Sequence, residues 1–132
     1  MADASTLPPR ILLIDDAVTI RRYMRDIAEK AGFGVAEAAN GAEGLEKALS
    51  EPFGLFVVDV NMRRMDGYRF LDEMRRRPEI ADIPAVMIST EARPQDRDKA
   101  FAAGANLYRV KPVEPEWFTR LLTLLLGGRR DG

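Results

Sequence analysis

The sequence contains no cysteine and no histidine among its 132 residues. The lack of cysteine excludes a disulfide framework and a thiol nucleophile, and the lack of histidine excludes imidazole acid–base catalysis. Together the two absences exclude the common zinc sites, which are built from these side chains. A metal ion bound by this chain must therefore be held by oxygen ligands.

A strong excess of charge of one sign is also missing, because 20 basic residues face 21 acidic ones. This balance gives no general attraction to nucleic acid or to anionic membranes. The longest apolar runs are far too short to span a membrane, and the first residues do not resemble a signal peptide. We therefore expect a soluble, cytoplasmic protein, a monomer that recognises other proteins through local features, with no nucleic-acid partner and no membrane insertion.

The length is that of one domain, which we expect to run from residue 10 to residue 126 between flexible segments at 1–9 and 127–132. Short apolar runs alternate with longer amphipathic stretches, a pattern typical of βα units around a parallel sheet. The first, third and fourth runs are apolar throughout and are expected in the middle of the sheet, whereas the second and fifth are mixed and predict edge strands. The predicted strands are Ile11 to Ile14, Val35 to Ala38, Leu55 to Val58, Ala85 to Ile88 and Asn106 to Val110.

Five helices are predicted between these strands from apolar residues at helical spacing and from end signals. The first helix should stop at Gly32, where a left-handed residue is expected. The next two should begin at Asn40 and Asp66, which are expected to act as N-caps. The last two follow a proline suited to a first helical turn and span 95–103 and 116–126.

Polar side chains follow four of the five predicted strands. They are Asp15 and Asp16, then Asp59 and Asn61, then Ser89 and Thr90, and finally Lys111. The carboxyl ends of parallel strands meet at one edge of a sheet, where ligands bind. If the first and third strands are neighbours, three carboxylates crowd together and need a cation, and Mg²⁺ suits such oxygen ligands better than Ca²⁺, for which no EF-hand spacing is present. One carboxylate could then attack phosphorus and form an aspartyl phosphate.

With these residues in view, the chain resembles a response-regulator receiver domain, and most closely the stand-alone chemotaxis regulators of the CheY type. Four motifs carry the resemblance, which extends from Ile11 to about Leu126: ILLIDD, VVDVNMRRMDG, MISTEA and YRVKP. The resemblance implies an α/β, (βα)5 flavodoxin-like three-layer sandwich with a parallel five-stranded sheet of order 2-1-3-4-5. This strand order, one of the common ones in doubly wound sheets, places the first and third strands side by side.

The resemblance also implies a role for each matching residue. Asp59 would accept the phosphoryl group, Lys111 and Ser89 would bind it, and Ser89 with Tyr108 would form the switch. Asn61 and Glu91 would tune the rate of dephosphorylation. The implied Mg²⁺ ligands are Asp15, which would act largely through water, Asp16, Asp59 and the carbonyl of Asn61. Three positions depart from the usual pattern: Arg63 replaces a frequent proline, Ser89 a frequent threonine, and Val113 a larger side chain.

The function implied is that of a single-domain response regulator, not an enzyme, which takes phosphate from a histidine kinase and signals in chemotaxis to the flagellar motor. A phosphorelay shuttle or phosphate sink working with a histidine phosphotransfer protein is the alternative, and a phosphorylation-independent, arginine-rich scaffold is a further one. A haloacid-dehalogenase-type phosphatase is disfavoured because Asn61 stands where its general acid is needed. A flavin protein is disfavoured because two acids stand where its phosphate loop would lie.

Structural explanations are open for several of these residues. Asp16 could cap a helix, Ser89 and Thr90 could bind turn amides, Lys111 could be a surface lysine, and Tyr108 an edge-strand aromatic residue. For Asp66 capping is the expected role. The arginine groups at 21, 22 and 25 and at 75–77 are expected on solvated helix faces, with docking by the first group as a further possibility. Trp117 and Phe118 are expected in the core.

Overall fold

The computed structural model describes residues 9–127, which form five alternating β/α units. Most of the two segments predicted to be flexible, residues 1–8 and 128–132, lies outside the described residues. The strands are β1 (Arg10–Ile14), β2 (Gly34–Ala38), β3 (Leu55–Asp59), β4 (Ala85–Ser89) and β5 (Leu107–Val110). The helices are α1 (Val18–Lys30), α2 (Gly41–Ser50), α3 (Gly67–Arg75), α4 (Pro94–Ala103) and α5 (Pro115–Leu126).

All strand pairs are parallel and the sheet has the order β2-β1-β3-β4-β5, which confirms the predicted topology. The two runs of mixed polarity, β2 and β5, are the edge strands, as predicted. Strands β3 and β4 are buried at every residue because helices cover both of their faces. None of the helices within residues 9–127 has the length and hydropathy needed to cross a bilayer.

Alternate residues of the central strands pack into two separate cores. Leu12 and Ile14 of β1 face a core formed with α2, α3 and α4, in which Phe56 and Phe70 are fully buried. The intervening residues of β1 face a second core formed with α1 and α5, which contains Phe118. This alternation follows from the two-residue period of a strand and produces the expected three layers of helix, sheet and helix.

The helix ends follow the predicted signals. Gly32, which follows the C-cap residue Ala31 of α1, has a φ of +95°, a conformation that favours glycine. The Asn40 side chain accepts a hydrogen bond of 2.9 Å from the Glu43 amide at the start of α2. Asp66 likewise accepts a 2.9 Å hydrogen bond from the Arg69 amide, so its capping role is confirmed.

Strand β5 begins at Leu107, one residue later than predicted. Asn106 has another role, because its side-chain oxygen accepts hydrogen bonds from the Ala85 amide and from the Arg75 guanidinium, each 2.8 Å long. The prediction of solvated faces was wrong for Arg75 and Arg21, whose guanidiniums are bonded to other parts of the fold. The Arg25 side chain is 40% exposed, although it also pairs with Glu37. Phe118 is buried as predicted, whereas Trp117 is only partly buried.

Candidate functional site

Three aspartates converge at the carboxyl edge of the sheet. Asp15 and Asp16 follow β1, Asp59 ends β3, and these two strands are paired neighbours. One carboxylate oxygen from each residue lies within 4.8 Å of the others. Asp15 and Asp59 are each only 5% exposed, whereas Asp16 is open to solvent. A set of hard oxygen donors with one solvent-facing member fits a Mg²⁺ ion that keeps some of its water ligands.

Asp15 is held firmly by its neighbours. Its amide donates to the Ala38 carbonyl at 3.1 Å, and its carboxylate accepts from the Ala17 amide at 2.9 Å. Helix α1 follows, with Ala17 as its N-cap residue and no side-chain capping bond. Asp16 therefore does not cap this helix, and the alternative explanation for that residue is wrong.

Lys111 joins two of the acids. Its ammonium nitrogen lies 2.9 Å from an oxygen of Asp59 and 3.2 Å from an oxygen of Asp15, and its side chain is only 18% exposed. The Lys111 amide donates to the Ser89 carbonyl at 2.8 Å, which fixes the lysine beside the end of β4. The surface-lysine alternative is therefore wrong. One ammonium charge faces three carboxylates, so the cluster retains an excess of negative charge.

The electrostatics of this cluster shift two pKa values. Burial and, to a smaller extent, the charge on Asp15 together raise the pKa of Asp59 to about 6, against the opposing effect of the Lys111 hydrogen bond. Burial by itself would lower the pKa of Lys111, but the Asp59 hydrogen bond and the Asp15 charge outweigh it and raise that pKa. A charged Asp59 is therefore strained in the absence of further positive charge, which is the electrostatic condition that a bound dication would relieve.

A second chain of contacts leads away from the acids through β4 and β5. The fully buried Ser89 hydroxyl oxygen accepts a 3.0 Å hydrogen bond from the Glu91 amide. The Glu91 carbonyl in turn accepts a 2.7 Å hydrogen bond from the Tyr108 hydroxyl. Tyr108 is 9% exposed and packs in the core, so it is more than an exposed edge residue. The structural alternative for Ser89, binding of a turn amide, is observed, and the bond leaves the hydroxyl proton available for another acceptor.

The loop between β3 and α3 is closed tightly over the acceptor strand. The Gly67 amide donates to the Val60 carbonyl at 2.9 Å, and a Cβ atom at Gly67 would lie 2.4 Å from the Asp59 carbonyl oxygen. Glycine is therefore required by this close approach. Asn61 and Glu91 are both exposed, two residues beyond Asp59 and Ser89 in sequence, so their side chains are accessible to water.

The tip of the same loop carries two exposed arginines. Arg63 stands at one of the positions that depart from the family pattern, and Arg64 adopts a φ of +69°, an uncommon conformation for a residue other than glycine. The third departure, Val113, is 5% exposed, and its carbonyl accepts a 2.8 Å hydrogen bond from the Tyr23 hydroxyl. The smaller valine is therefore accommodated in a packed position beside α1.

Sequence reasoning missed one residue that contacts the acidic pair directly. The Arg21 guanidinium donates a 2.5 Å hydrogen bond to the Asp15 carbonyl oxygen. Its helical position predicted only an exposed face, and the contact depends on an acceptor of the main chain that leaves no mark in the sequence. The acidic residue Glu37 on β2, which also binds this arginine, was the only available signal.

Comparison with known protein families gives one match that covers most of the chain. The family described as the response regulator receiver domain matches residues 11–123. Among curated proteins, an uncharacterised 14.6 kDa protein of Leptolyngbya boryana is 36% identical over 112 residues, which are 85% of this chain and 86% of that protein. The similarity therefore covers nearly all of a protein of the same size.

Other relatives are much longer. The gliding motility regulatory protein of Myxococcus xanthus is 32% identical over 77% of this chain, but the match is only 13% of its own length. The transcriptional regulator RpaA of Synechocystis is 33% identical over 82% of this chain and 45% of its own length. The chain thus spans less than half the length of these two relatives.

Solved structures agree with these matches. The chemotaxis response regulator CheY4 of Vibrio cholerae superposes with a TM-score of 0.84 at 33% identity, over 90% of this chain and 99% of that one. A response regulator receiver domain protein from Methanospirillum hungatei gives a TM-score of 0.82 at 30% identity, over 91% and 94% of the two chains.

Proposed function

This chain belongs to the response regulator receiver domain family, and from that premise we propose that Asp59 accepts a phosphoryl group from a histidine kinase and thereby switches contacts with other proteins. Receiver domains are phosphoacceptor switches that bind Mg²⁺ at an acidic pocket. In this chain the ion would be held by Asp15, Asp16, Asp59 and the carbonyl of Asn61. Bound Mg²⁺ would supply positive charge to the oxygens of the transferring group.

One observation carries this proposal. The Lys111 ammonium lies 2.9 Å from the buried Asp59 carboxylate, while two further carboxylates crowd the same point. An arrangement with more acids than its lysine can neutralise destabilises a fold that does not use it. A scaffold recognised only through its arginines would have no need of such a cluster, so the phosphoacceptor function explains the site better.

The chemistry assigned to the side chains is simple. An Asp59 oxygen attacks phosphorus, a P–O bond forms, and the bond from phosphorus to the donor nitrogen of phosphohistidine breaks, with the electron pair leaving on that nitrogen. The Lys111 ammonium already contacts the attacking carboxylate and can stabilise the negative charge on the phosphoryl oxygens. The Ser89 hydroxyl keeps its proton for donation, since its present bond uses its oxygen as acceptor.

The switch follows from the contacts of Ser89. If its hydroxyl moves to bind the phosphoryl group, the Glu91 amide loses its acceptor, and the Glu91 carbonyl that holds Tyr108 shifts with it. The movement of one small side chain is thereby transmitted to β5. The surface formed by α4, β5 and α5 is the part of the molecule where we expect a partner to detect the change.

We further propose that the pathway is chemotaxis, with the flagellar motor as target. Vibrio cholerae CheY4, which this chain resembles over almost its whole length, is a chemotaxis response regulator. The alternative is exchange of phosphate with a histidine phosphotransfer protein. Capturing partners from a lysate with the beryllofluoride-treated protein and with the untreated protein separates the two, because a motor component and a phosphotransfer protein are readily told apart.

The acceptor is tested by incubating the protein with Mg²⁺ and acetyl phosphate and measuring intact mass. We expect one phosphoryl group on the unaltered protein and none on Asp59→Asn. Asp66→Asn is the matched control, because this acid belongs to the same loop but caps α3 and should leave phosphorylation intact. Phosphate on the Asp59→Asn variant would disprove the assignment of the acceptor.

The conformational response can be followed at Trp117, the only tryptophan of the chain. The guanidinium of Arg109 in β5 lies over the Trp117 ring, 4.4 Å from its centroid. Arg109 directly follows Tyr108 in the sequence. A shift of β5 on addition of beryllofluoride and Mg²⁺ should alter this contact and change the fluorescence of Trp117. The change should be absent in Asp59→Asn.

A further inference from the structure

A network of charged side chains lies behind the acidic pair, on the side of α1 and β2. The Arg21 guanidinium donates to the Asp15 carbonyl oxygen at 2.5 Å through one nitrogen and to the Glu37 carboxylate at 2.8 Å through another. The second oxygen of Glu37 accepts from Arg25 at 2.5 Å. The Arg21 side chain is only 14% exposed, so this guanidinium is part of the interior and not of a solvated face.

With this contact, every polar atom of Asp15 has a partner. Ala38 and Arg21 bind its main-chain amide and carbonyl, while Ala17 and Lys111 bind its two carboxylate oxygens. The Asp15 carbonyl belongs to the peptide group that leads directly into Asp16. The orientation of this peptide group therefore sets the position of the Asp16 backbone, from which the solvent-facing carboxylate extends.

We propose that Arg21, held by Glu37, is a positioning residue that fixes the peptide between Asp15 and Asp16 and thereby sets the affinity of the acidic site for Mg²⁺. The inference rests on the proposed function, which assigns Mg²⁺ to these carboxylates. Arginine suits the role because its planar fork can bind a carbonyl and a carboxylate at once, whereas the lysine ammonium is a single point of charge. Side chains behind metal ligands commonly change metal affinity by about 10- to 100-fold when they are replaced.

Positioning and simple electrostatics predict opposite results for loss of Arg21. As a nearby positive charge, Arg21 repels a cation, so its removal should tighten Mg²⁺ binding if charge alone matters. If the arginine acts by fixing the peptide, its removal should weaken binding. Arg21→Lys separates the two effects further, because it keeps the charge and loses the fork.

The experiment measures the dissociation constant for Mg²⁺ by titration calorimetry at constant ionic strength. The proteins compared are the unaltered chain, Arg21→Lys, Arg21→Ala and Glu37→Gln, each shown to be folded by circular dichroism. Arg22→Ala is the matched control: Arg22 is the next residue on α1, is exposed and has no side-chain hydrogen bond or ion pair within residues 9–127. Glu37→Gln keeps the size of the side chain and weakens its hold on Arg21.

We expect binding to weaken about 10-fold in Arg21→Lys and in Arg21→Ala, and by a smaller factor in Glu37→Gln. Arg22→Ala should stay within about twofold of the unaltered protein, because an exposed charge is well screened. Unchanged binding by a folded Arg21→Lys, or tighter binding by Arg21→Ala, would overturn the inference while leaving the proposed function intact. If the unaltered chain itself binds no Mg²⁺, both fail.

Discussion

Two partly buried cations at opposite edges of the sheet have very different surroundings. At the carboxyl edge, Lys111 faces two buried carboxylates and a third that is open to solvent. At the amino edge, the hydrogen bonds of Arg75 at the end of α3 all go to neutral oxygens, although the charge of Asp82 also acts on the guanidinium. It donates to the carbonyls of Gly104, Ala81 and Ile83 and to the Asn106 side chain, at 2.6 to 3.0 Å.

The difference separates a structural site from a reactive one. The oxygens around Arg75 precede β4 and β5, and the guanidinium donates to the carbonyls of three partly buried residues. The site around Lys111 keeps an excess of negative charge, and burial together with the charge on Asp15 raises the pKa of Asp59. The contacts at the amino edge therefore stabilise the fold, whereas the crowded carboxylates at the carboxyl edge destabilise it and provide the reactive group.

The largest effect is expected from Arg75→Ala. The substitution removes donors from the carbonyls of three partly buried residues at once and should lower the free energy of unfolding by about 2 to 4 kcal/mol. The substitution also removes a packing contact, because the Arg75 side chain lies directly against the left-handed backbone of Gly104. Urea denaturation followed by circular dichroism measures the loss.

The neighbouring Arg76→Ala is the control for this prediction. The Arg76 side chain is 68% exposed, and its ion pair with Asp72 joins two surface groups of one helix. Such pairs contribute little, so a change within about 0.5 kcal/mol is expected. An equal decrease in the free energy of unfolding in the two variants would show that the Arg75 guanidinium does not stabilise the amino edge more than a surface arginine does.

The second prediction concerns Asp59→Asn in the absence of metal. The ordinary pKa of the carboxyl is 3.8, and in the fold it is raised to about 6. Between these values the folded protein binds a proton that the unfolded chain has lost, so the contribution of Asp59 to stability falls as the pH rises. Asparagine does not ionise, so at pH 7.5 the variant should be more stable by on the order of 2 kcal/mol.

The advantage of this variant should shrink as the pH falls below about 6 and vanish only below about 3, under the ordinary pKa of 3.8, where Asp59 is neutral in both the folded and the unfolded state. Added Mg²⁺ should also reduce it, because the ion stabilises the charged site of the unaltered protein. Thermal melts at several pH values, with and without Mg²⁺, provide the measurement. A variant less stable than the unaltered protein at pH 7.5 without metal would contradict the contrast between the two edges.

The carboxyl edge was largely predictable from the sequence and the amino edge was not. Asp15, Asp16 and Asp59 follow apolar runs, and parallel strands bring their carboxyl ends together, so residue type and position sufficed to predict their convergence. Lys111 could be placed at the same edge for the same reason. Its exact contacts with Asp15 and Asp59 required the structure.

The role of Arg75 could not be predicted because most of its partners are main-chain carbonyls. Every residue has such a carbonyl, so the sequence contains no sign of which ones lack a donor. Arg75 and Arg76 are adjacent and chemically identical, yet one guanidinium is bonded inside the fold and the other is mostly in solvent. The same limit applied to Arg21, whose contact with the Asp15 carbonyl was missed.

The smallest effects on stability are expected from replacing two aspartates at the carboxyl edge itself, Asp16 and Asp66. Asp66 caps α3 through a 2.9 Å bond to the Arg69 amide, and Asp16 has no capping bond although it stands near α1. Asp66→Ala should lower the free energy of unfolding by about 1 kcal/mol and leave Mg²⁺ affinity unchanged. Asp16→Ala should weaken Mg²⁺ binding and change metal-free stability by less than about 0.5 kcal/mol, because the side chain is exposed.

Stability is measured by urea denaturation and Mg²⁺ affinity by calorimetry on both variants. The two measurements show which acid at this edge stabilises the fold and which one binds the metal. The two losses should be separable because each acid uses its oxygens for a different partner: a helix amide for Asp66, and a cation for Asp16. A fall in Mg²⁺ affinity in Asp66→Ala as large as that in Asp16→Ala would mean that the loop must be rigid for the acids to converge. The division between the stabilising and the reactive parts would then no longer follow the two edges of the sheet.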